Sequence, residues 1–438
     1  MNNSKSQIKF REYVPWICFG FIALIAIVIF ICSVTLGNDP KYPKAAGVFN
    51  FVNMTKSMEG LDEYADDIIK IIDGAKKNIN MISHCFYFKS NYSHLFDENP
   101  PEIIDTSPPD SYIHKEGEIL QALKRALDER HVKVRIITQN SFTNTSISFF
   151  RYNGVSYRTY DTETGALLLN EIITADSKTI LISSSLFDNE IFNKSRVVSV
   201  RFQDGPYLAD DLDRYFTLTW KQLDETEQKE LPPYSRFWQY NLKAKTTIAN
   251  PYIFENKATA YFVQQKSTYM PPLRDNSVDA VQNLLNSAKK RIVLSASFFE
   301  LEHILFMYNL LAQSSKKKYN IKILLSDIPR LYRNTSSVEE LNQTKINMLK
   351  QAATVAPLNN IFVHVSEENT GVPDFIVVDN NLFFSSGPIS AILYGGSLGV
   401  ALVVNDKNLT DNFVQVFDED WNVSRPFKDY LNYIYPNN

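Results

Sequence analysis

The residues of this chain that could do chemistry are concentrated in two related stretches, residues 165–188 and 371–390. In each stretch a short apolar run leads to an aspartate in a polar turn, Asp176 or Asp379, and a second apolar run then leads to a pair of serines. This pattern predicts two adjacent buried strands joined by a tight turn. Because the unit occurs twice, the sequence predicts two similar halves.

The other chemically versatile side chains form no recognisable centre. The six histidines lack the i, i+3 or i, i+4 pairs that hold a metal on a helix, and they are His84, His94, His114, His131, His303 and His364. The three serines at 183–185 lack the glycine-flanked context of a nucleophile elbow. We therefore predict no cofactor, and no metal site built from histidine.

The two stretches resemble the paired motifs of the phospholipase D superfamily. There each half carries His-x-Lys-x4-Asp, followed by Gly-Ser-x-Asn or a close variant. With Asp176 and Asp379 as anchors, the Asp and the Ser of the motif are retained, the latter as Ser184 and Ser386. The remaining motif positions are degenerate: Leu169 and Val372 for His, Glu171 and Asp374 for Lys, Ser183 and Ser385 for Gly, Leu186 and Pro388 for Asn. Residues 165–176 and 366–379 contain no His or Lys, so no small shift of register restores the motif.

The resemblance implies what these replacements remove. In the superfamily one histidine attacks phosphorus, the other protonates the leaving group, and the lysines and asparagines stabilise the phosphoryl oxygens. Leu169 and Val372 have neither a lone pair nor a proton to give. Glu171 and Asp374 put anions where cations belong, and one like-charge contact at ~4 Å costs roughly 4 kcal/mol at an effective dielectric near 20. We therefore expect the fold without the chemistry, and a cleft that repels a phosphodiester.

Two other interpretations of these positions stay open. In one, Leu169 and Val372 only fill space at the interface of the halves, while Glu171 and Asp374 face water. In the other, a hard cation is held by oxygen ligands, supplied by Glu171, Asp176, Asp374 and Asp379.

The elements around the motifs repeat in the same order. An amphipathic helix over residues 61–77 runs into a strand over 79–88, and residues 278–290 and 292–299 repeat both elements. Strands over 132–138 and 321–326 follow, and each half closes on a helix that reaches Trp220 or Trp421. With the resemblance, this order predicts an α/β fold of two tandem phospholipase D-like α/β/α sandwich domains in a pseudo-two-fold arrangement.

The N-terminal region has the pattern of a membrane anchor. Residues 14–36 are apolar and uncharged, which is long enough to cross a bilayer as one helix. Lys5, Lys9 and Arg11 precede them and favour a cytosolic N-terminus. We predict a cytosolic tail (1–13), a transmembrane signal-anchor (14–36), a stalk (37–55) and two phospholipase D-like domains (56–245 and 246–438).

The predicted topology places both domains in a lumen. Glycosylation sequons fit that side, and they begin at Asn53, Asn91, Asn144, Asn193, Asn334, Asn342, Asn408 and Asn422. Of the three cysteines, Cys18 and Cys32 lie in the predicted span and Cys85 alone follows it. No disulfide can therefore form within the lumenal part.

Composition and resemblance together lead to a functional prediction. The formal net charge of −4 over 438 residues is not the basic signature of a nucleic-acid binder, and we expect no nucleic acid in the degenerate cleft. The resemblance points to type II membrane proteins, some of which are lysosomal 5′ exonucleases and some of which are inactive.

We predict a catalytically inactive glycoprotein of the endoplasmic reticulum, Golgi or endolysosomal membrane, with a binding, assembly or trafficking role. It would pair with itself as a homodimer or with an active relative. The alternatives are a phosphodiester hydrolase, either a 5′ exonuclease or a phospholipase, that uses other residues, and a lumenal binder of a cation or lipid.

Overall fold

Two mixed sheets, one in each half of the chain, carry the fold of this computed structural model. The structure describes residues 49–55, 59–84, 86–87, 92, 94–97, 111–139, 147–160, 168, 170–188, 196–203, 205–223, 246–264, 277–297, 319–326, 353, 356–358, 360–366, 371–389 and 399–434.

The first half forms a seven-stranded sheet with the order β1-β9-β7-β6-β2-β4-β5. Its strands are β1 (Asn50–Met54), β2 (Asn78–Ser83), β4 (Lys133–Gln139), β5 (Val155–Tyr160), β6 (Ile172–Ala175), β7 (Thr179–Ser183) and β9 (Val197–Phe202). Two short strands, β3 (Phe86–Tyr87) and β8 (Phe187–Asp188), pair separately. The strands β2, β4 and β5 are parallel, whereas β6 lies antiparallel to β2.

Four helices belong to the first half: α1 (Leu61–Gly74), α2 (Tyr112–Asp128), α3 (Ile147–Arg151) and α4 (Pro206–Gln222). Local sequence sets their starts. The hydroxyl of Ser111 caps α2 by accepting a hydrogen bond from the backbone N–H of His114, and α4 begins with Pro206, whose fixed φ suits the first turn. The apolar faces of α1 and α2 pack on the sheet in one continuous core.

The second half forms a nine-stranded sheet with the order β10-β11-β17-β16-β15-β12-β13-β14-β18. Its strands are β10 (Tyr252–Ile253), β11 (Thr259–Gln264), β12 (Ile292–Ala296), β13 (Ile321–Leu325), β14 (Ile361–Val365), β15 (Asp374–Val378), β16 (Asn381–Ser385), β17 (Val400–Asn405) and β18 (Arg425–Pro426). The helices of this half are α5 (Ser277–Ser287), α6 (Lys407–Asn422) and α7 (Phe427–Ile434). The carboxylate of Asp406 caps α6 through the backbone N–H of Leu409.

The two sheets share one internal order. The run β9-β7-β6-β2-β4-β5 in the first sheet corresponds to β17-β16-β15-β12-β13-β14 in the second, with the same parallel and antiparallel neighbours. The long helices α4 and α6, which contain Trp220 and Trp421, follow the corresponding strands β9 and β17. The predicted α/β fold with two similar halves is therefore confirmed at the level of topology.

Element boundaries shift by a few residues from the sequence-based expectation. The first helix ends at Gly74, because Ala75 adopts an extended conformation, and the strand predicted over 79–88 divides into β2 and β3. The larger difference is β1, which lies inside the predicted stalk over 37–55. Residues 50–54 pair with β9 and so belong to the first sheet rather than to a stalk.

Aromatic contacts join the two halves. Phe51 of β1 lies against Phe413 of α6 with ring centroids 5.0 Å apart, and Phe202 of β9 stacks on Phe262 of β11. The predicted boundary near residue 245 falls next to residues 224–245, which are outside the described residues, and it stays a prediction.

No helix within the described part of the chain is long and apolar enough to span a bilayer. The predicted span over residues 14–36 lies outside that part.

Candidate functional site

The two motif stretches lie at equivalent ends of the two sheets. In the first half β6 runs antiparallel to β2, so Glu171, just before β6, lies beside Ser83 at the end of β2. In the second half Asp374 opens β15 beside the end of β12. Both predicted acids therefore take the same place in their sheet.

Glu171 is a buried hydrogen-bond acceptor, with 8% of its surface exposed. The hydroxyl of Ser83 donates to its Oε2 at 2.6 Å, and the backbone N–H of His84 donates to its Oε1 at 3.0 Å. Hydrogen bonds to a carboxylate are among the stronger ones in proteins. They fix the side chain against the end of β2, so the interpretation in which it faces water is wrong.

Asp374 is held in the same way and is 2% exposed. Its Oδ1 accepts from the backbone N–H of Ser297 at 3.1 Å and of Ile389 at 3.2 Å. Its Oδ2 accepts from the hydroxyl of Ser297. Like Glu171, it is bound by a serine hydroxyl and a backbone N–H at the end of the neighbouring strand, and it does not face water either.

The motif aspartates Asp176 and Asp379 have a structural role in the turns after β6 and β15. The carboxylate of Asp176 accepts from three successive backbone N–H groups, those of Lys76, Lys77 and Asn78, at 2.7 to 3.0 Å. In the second half the carboxylate of Asp379 accepts from the corresponding N–H groups at 2.9 to 3.0 Å, and these belong to Lys289, Lys290 and Arg291.

Both aspartates adopt the left-handed backbone conformation, with φ of 53° and 55°, which Asp tolerates better than most residues. Burial raises the pKa of Asp176, but the three backbone hydrogen bonds outweigh it and hold this pKa below its ordinary value.

The two serines at the glycine positions form matching turns. Ser183 donates to the carbonyl oxygen of Ser185 at 2.5 Å, and its oxygen accepts from the N–H of Ser185. Ser385 makes the same pair of bonds with Gly387. These hydroxyls therefore satisfy local backbone groups.

Comparisons with known proteins address the ancestry of this arrangement. No family model matches the chain. Over 282 residues it is 21% identical to a probable phospholipase D of Caenorhabditis elegans, and the match covers 58% of this chain. The chain spans about half the length of that relative, since the match covers 49% of it. The sequence similarity is thus to a phospholipase D, which agrees with the resemblance of the two motif stretches.

A solved structure agrees in fold. The phosphatidylserine synthase of Haemophilus influenzae Rd KW20 matches with a TM-score of 0.58 over 89% of this chain and 91% of that one. The sequence identity is 12%, so this likeness concerns the fold.

Where the predicted alignment puts a motif His or Asn, the described side chains are apolar and buried. Val372 is 0% exposed and Leu186 is 1% exposed, and Pro388 is buried. Leu186 is further fixed because Tyr64 donates its hydroxyl to the carbonyl oxygens of Ser185 and Leu186 at 2.8 and 3.0 Å. Leu169 lies outside the described residues.

Two residues that sequence reasoning missed join the halves beside the motifs. Asn170 is fully buried, accepts from the backbone N–H of Val400 in β17 at 2.9 Å and donates to the hydroxyl of Tyr215. Arg196 donates its backbone N–H to the carbonyl oxygen of Gly371. In the sequence, an amide side chain inside an apolar run was a signal for the first, whereas nothing local marked the second.

The guanidinium of Arg196 forms an ion-pair cluster between the halves. Its Nε lies 3.0 Å from Oδ1 of Asp420, and its Nη1 lies 2.7 Å from Oε2 of Glu419 in α6. The same Nη1 donates to the side-chain oxygen of Asn53 in β1. This cluster and the Asn170 bond close the two halves onto each other next to the motif ends.

His84, which follows β2, is a partly buried neutral histidine. Its Nδ1 lies 3.2 Å from the carbonyl oxygen of Leu168. Burial lowers the pKa of His84 to about 4, although the hydrogen bonds to Leu168 and Gln139 act in the opposite direction. At neutral pH the ring is therefore uncharged, as expected for a satisfied core residue.

The interpretation of the acids as cation ligands finds no support in this geometry. Asp176 and Asp379 each bind three backbone donors, and Glu171 and Asp374 are held at their own strand ends. No group of three or more His, Cys, Asp or Glu side chains suited to a metal ion occurs among the described residues.

Three of the predicted glycosylation sites lie among the described residues. Asn408 and Asn422 are exposed on α6, whereas Asn53 is partly buried and bound to Arg196. The others lie outside the described residues: Asn91, Asn144, Asn193, Asn334 and Asn342.

Proposed function

We propose that this chain is a phospholipase D-like pseudoenzyme that acts through binding, assembly or trafficking. One observation carries the proposal. The place of a motif lysine is taken by Asp374, an acceptor buried under three hydrogen bonds, and the place of a motif histidine is taken by the fully buried Val372. Neither side chain supplies a nucleophile, a proton donor or a cation for a phosphoryl group.

The packing around the motif ends supports the same conclusion. In an active member, substrate has to reach the residues of both halves. Here two hydrogen bonds join the halves next to those positions: the backbone N–H of Val400 donates to Asn170, and that of Arg196 donates to Gly371. A phosphodiester would have to break them and face two buried carboxylates.

The activity test uses the full-length protein with labelled single-stranded DNA and with a fluorescent phospholipid, from acidic to neutral pH, with and without EDTA. We expect no turnover above a buffer control. Metal-independent turnover that Asp374→Asn or Glu171→Gln abolishes, while the exposed-site variant Asp66→Asn retains it, would establish the hydrolase alternative and refute the proposal.

We further propose that the chain is a single-pass type II membrane glycoprotein with lumenal domains, in the endoplasmic reticulum, Golgi or an endolysosomal membrane. The apolar segment over residues 14–36 and the exposed sequons Asn408 and Asn422 support this. An endoglycosidase shift that becomes smaller in Asn408→Gln and in Asn422→Gln tests it. An unglycosylated, protease-accessible C-terminal part in sealed microsomes would contradict it.

For a repeated fold without catalytic activity, the assembly role that we propose is self-association or pairing with an active relative. Co-purification of two differently tagged copies of the full chain tests the first case. A strictly monomeric protein that also fails to retain an active relative would leave assembly without support.

A further inference from the structure

Strand β1 is an open edge of the first sheet. It pairs with β9 on one side, and in the described part of the chain no strand pairs with it on the other. An edge strand directs every second N–H and C=O away from its single neighbour, and these groups can pair with another extended chain.

A groove of about 420 Å³ runs along this open edge. Residues 50–53 and Thr55 of the β1 region form its floor. One wall is the start of α1, with Glu59, Gly60 and Glu63, and the other is α6, with Gln415 and Glu419. The walls come from different halves of the chain, so the groove exists only in the assembled fold.

Both faces of β1 are anchored. At its C-terminal end the chain itself covers the edge, because Gly60 lies against the carbonyl oxygen of Asn53 and Thr55 donates its backbone N–H to Glu59. The edge at residues 50–52 is the accessible part. Val52 and Met54 pack into the core with α1. On the opposite face Phe51 contacts Phe413, and Asn53 accepts a hydrogen bond from Arg196. A strand fixed on both faces is a preformed template, and a partner that pairs with it loses less free energy to ordering.

The charge of the groove selects the partner. Glu59 and Glu63 are exposed and make no ion pair in the described part of the chain. On the other wall Glu419 pairs with the guanidinium of Arg196, which also pairs with the buried Asp420 outside the lining. Glu59 and Glu63 therefore give the lining of the groove an excess of two negative charges. This charge disfavours a second copy of β1, and it favours an extended segment with lysine or arginine on alternate residues.

We propose that the edge of β1 binds an extended basic segment of a partner protein as an additional strand of the first sheet. The backbone of β1 supplies the strand pairing, and the glutamates of the two walls receive basic side chains on either side of the peptide. None of the predicted motif positions lines the groove, and the inference does not depend on whether the chain is an enzyme.

The test measures peptide binding to the full-length protein by fluorescence anisotropy. The probe is a labelled peptide that alternates lysine with threonine and valine. One control peptide has glutamate in place of lysine, and another is methylated on successive backbone nitrogens, which removes donors from both of its edges. Hydrogen exchange of the amides of residues 50–54 is measured with and without the probe.

We expect the basic peptide to bind and to slow exchange in β1, and both control peptides to fail. The double variant Glu59→Gln, Glu63→Gln should weaken binding about fivefold, because two exposed ion pairs are lost. Asp66→Asn, a matched change on α1 outside the groove, should leave it unchanged.

Equal binding of the methylated peptide, or binding without protection of β1, would refute strand addition. Unchanged affinity in the double variant, or failure of the basic peptide to bind, would refute the proposed site.

Discussion

Protonation of His84 should make the fold sensitive to acid. The ring lies against the carbonyl oxygen of Leu168, and burial lowers its pKa to about 4, compared with 6.5 in the unfolded chain. The folded state therefore favours the neutral ring. The stability that this histidine contributes is complete above the unfolded pKa and is lost as the pH falls from 6.5 toward 4.

The size of the effect follows from the two pKa values. Each pH unit inside that window costs up to about 1.4 kcal/mol. At pH 7 both states are mostly neutral, whereas at pH 5 the unfolded chain binds a proton at His84 that the folded chain does not. The difference is a loss of about 2 kcal/mol between pH 7 and pH 5 from this one side chain.

The assay is urea denaturation of the full-length protein at both pH values. Because other groups titrate too, the informative quantity is the difference between wild type and His84→Asn. Asparagine keeps an N–H donor for the carbonyl oxygen of Leu168 but cannot be protonated. Between pH 7 and pH 5 the His84→Asn variant should lose about 2 kcal/mol less unfolding free energy than the wild type.

A matched control is His131→Asn. His131 is exposed in the turn before β4 with φ of 53°, which asparagine accepts. This variant should keep the pH dependence of the wild type. The reasoning fails if His84→Asn also keeps that dependence, or if both histidine variants lose the same part of it. In an acidic lumen, the proposed setting, the difference in the pKa of His84 between the folded and unfolded states would lower the free energy of unfolding.

Three further predictions concern the contacts that hold the motif region, all measured by urea denaturation. Arg196→Met should destabilise the protein by about 3 kcal/mol, because it removes the guanidinium that pairs with the buried Asp420, while Lys70→Met, at the exposed pair with Asp66, should cost less than about 1 kcal/mol; equal losses would contradict the role of Arg196. Asp379→Asn should cost about 2 kcal/mol through weaker acceptance of three backbone N–H groups, and an unchanged stability would mean that the turn does not need the charge. Val372→His should cost about 2 kcal/mol, because it buries an imidazole at a fully packed position, and it should confer no phosphodiesterase activity; a stable and active variant would show that the site is open.

Much of the fold was predictable because local patterns carried it. Short apolar runs on either side of Asp176 and Asp379 indicated the paired strands, and a helix that runs into a strand in each half indicated the repeat. The structure adds the reason for the spacing. The lysines after Ala75 and Ala288 supply backbone N–H groups that the two aspartates bind. In each half, the aspartate of the motif therefore contacts the segment between the repeated helix and strand.

The contacts between distant segments were not predictable in this way. Arg196 forms an ion pair with Asp420 across more than half the chain. Strand β1 pairs with β9, which is also distant from it in the sequence. Each local sequence is ordinary: one charged residue before a strand, and one short apolar segment after prolines. Because long-range pairing has no periodic signature, β1 was assigned to the stalk and the two residues that close the interface were missed.

The acids at the lysine positions make sense once their surroundings are considered. Glu171 and Asp374 both face a serine hydroxyl and a backbone N–H, which are donors. An ammonium in either place would point a donor at a backbone N–H in a buried site, which is costly. The surroundings are thus matched to a carboxylate. Returning one lysine to this chain would therefore not restore a phosphate site, because the residues that receive the carboxylate would have to change with it.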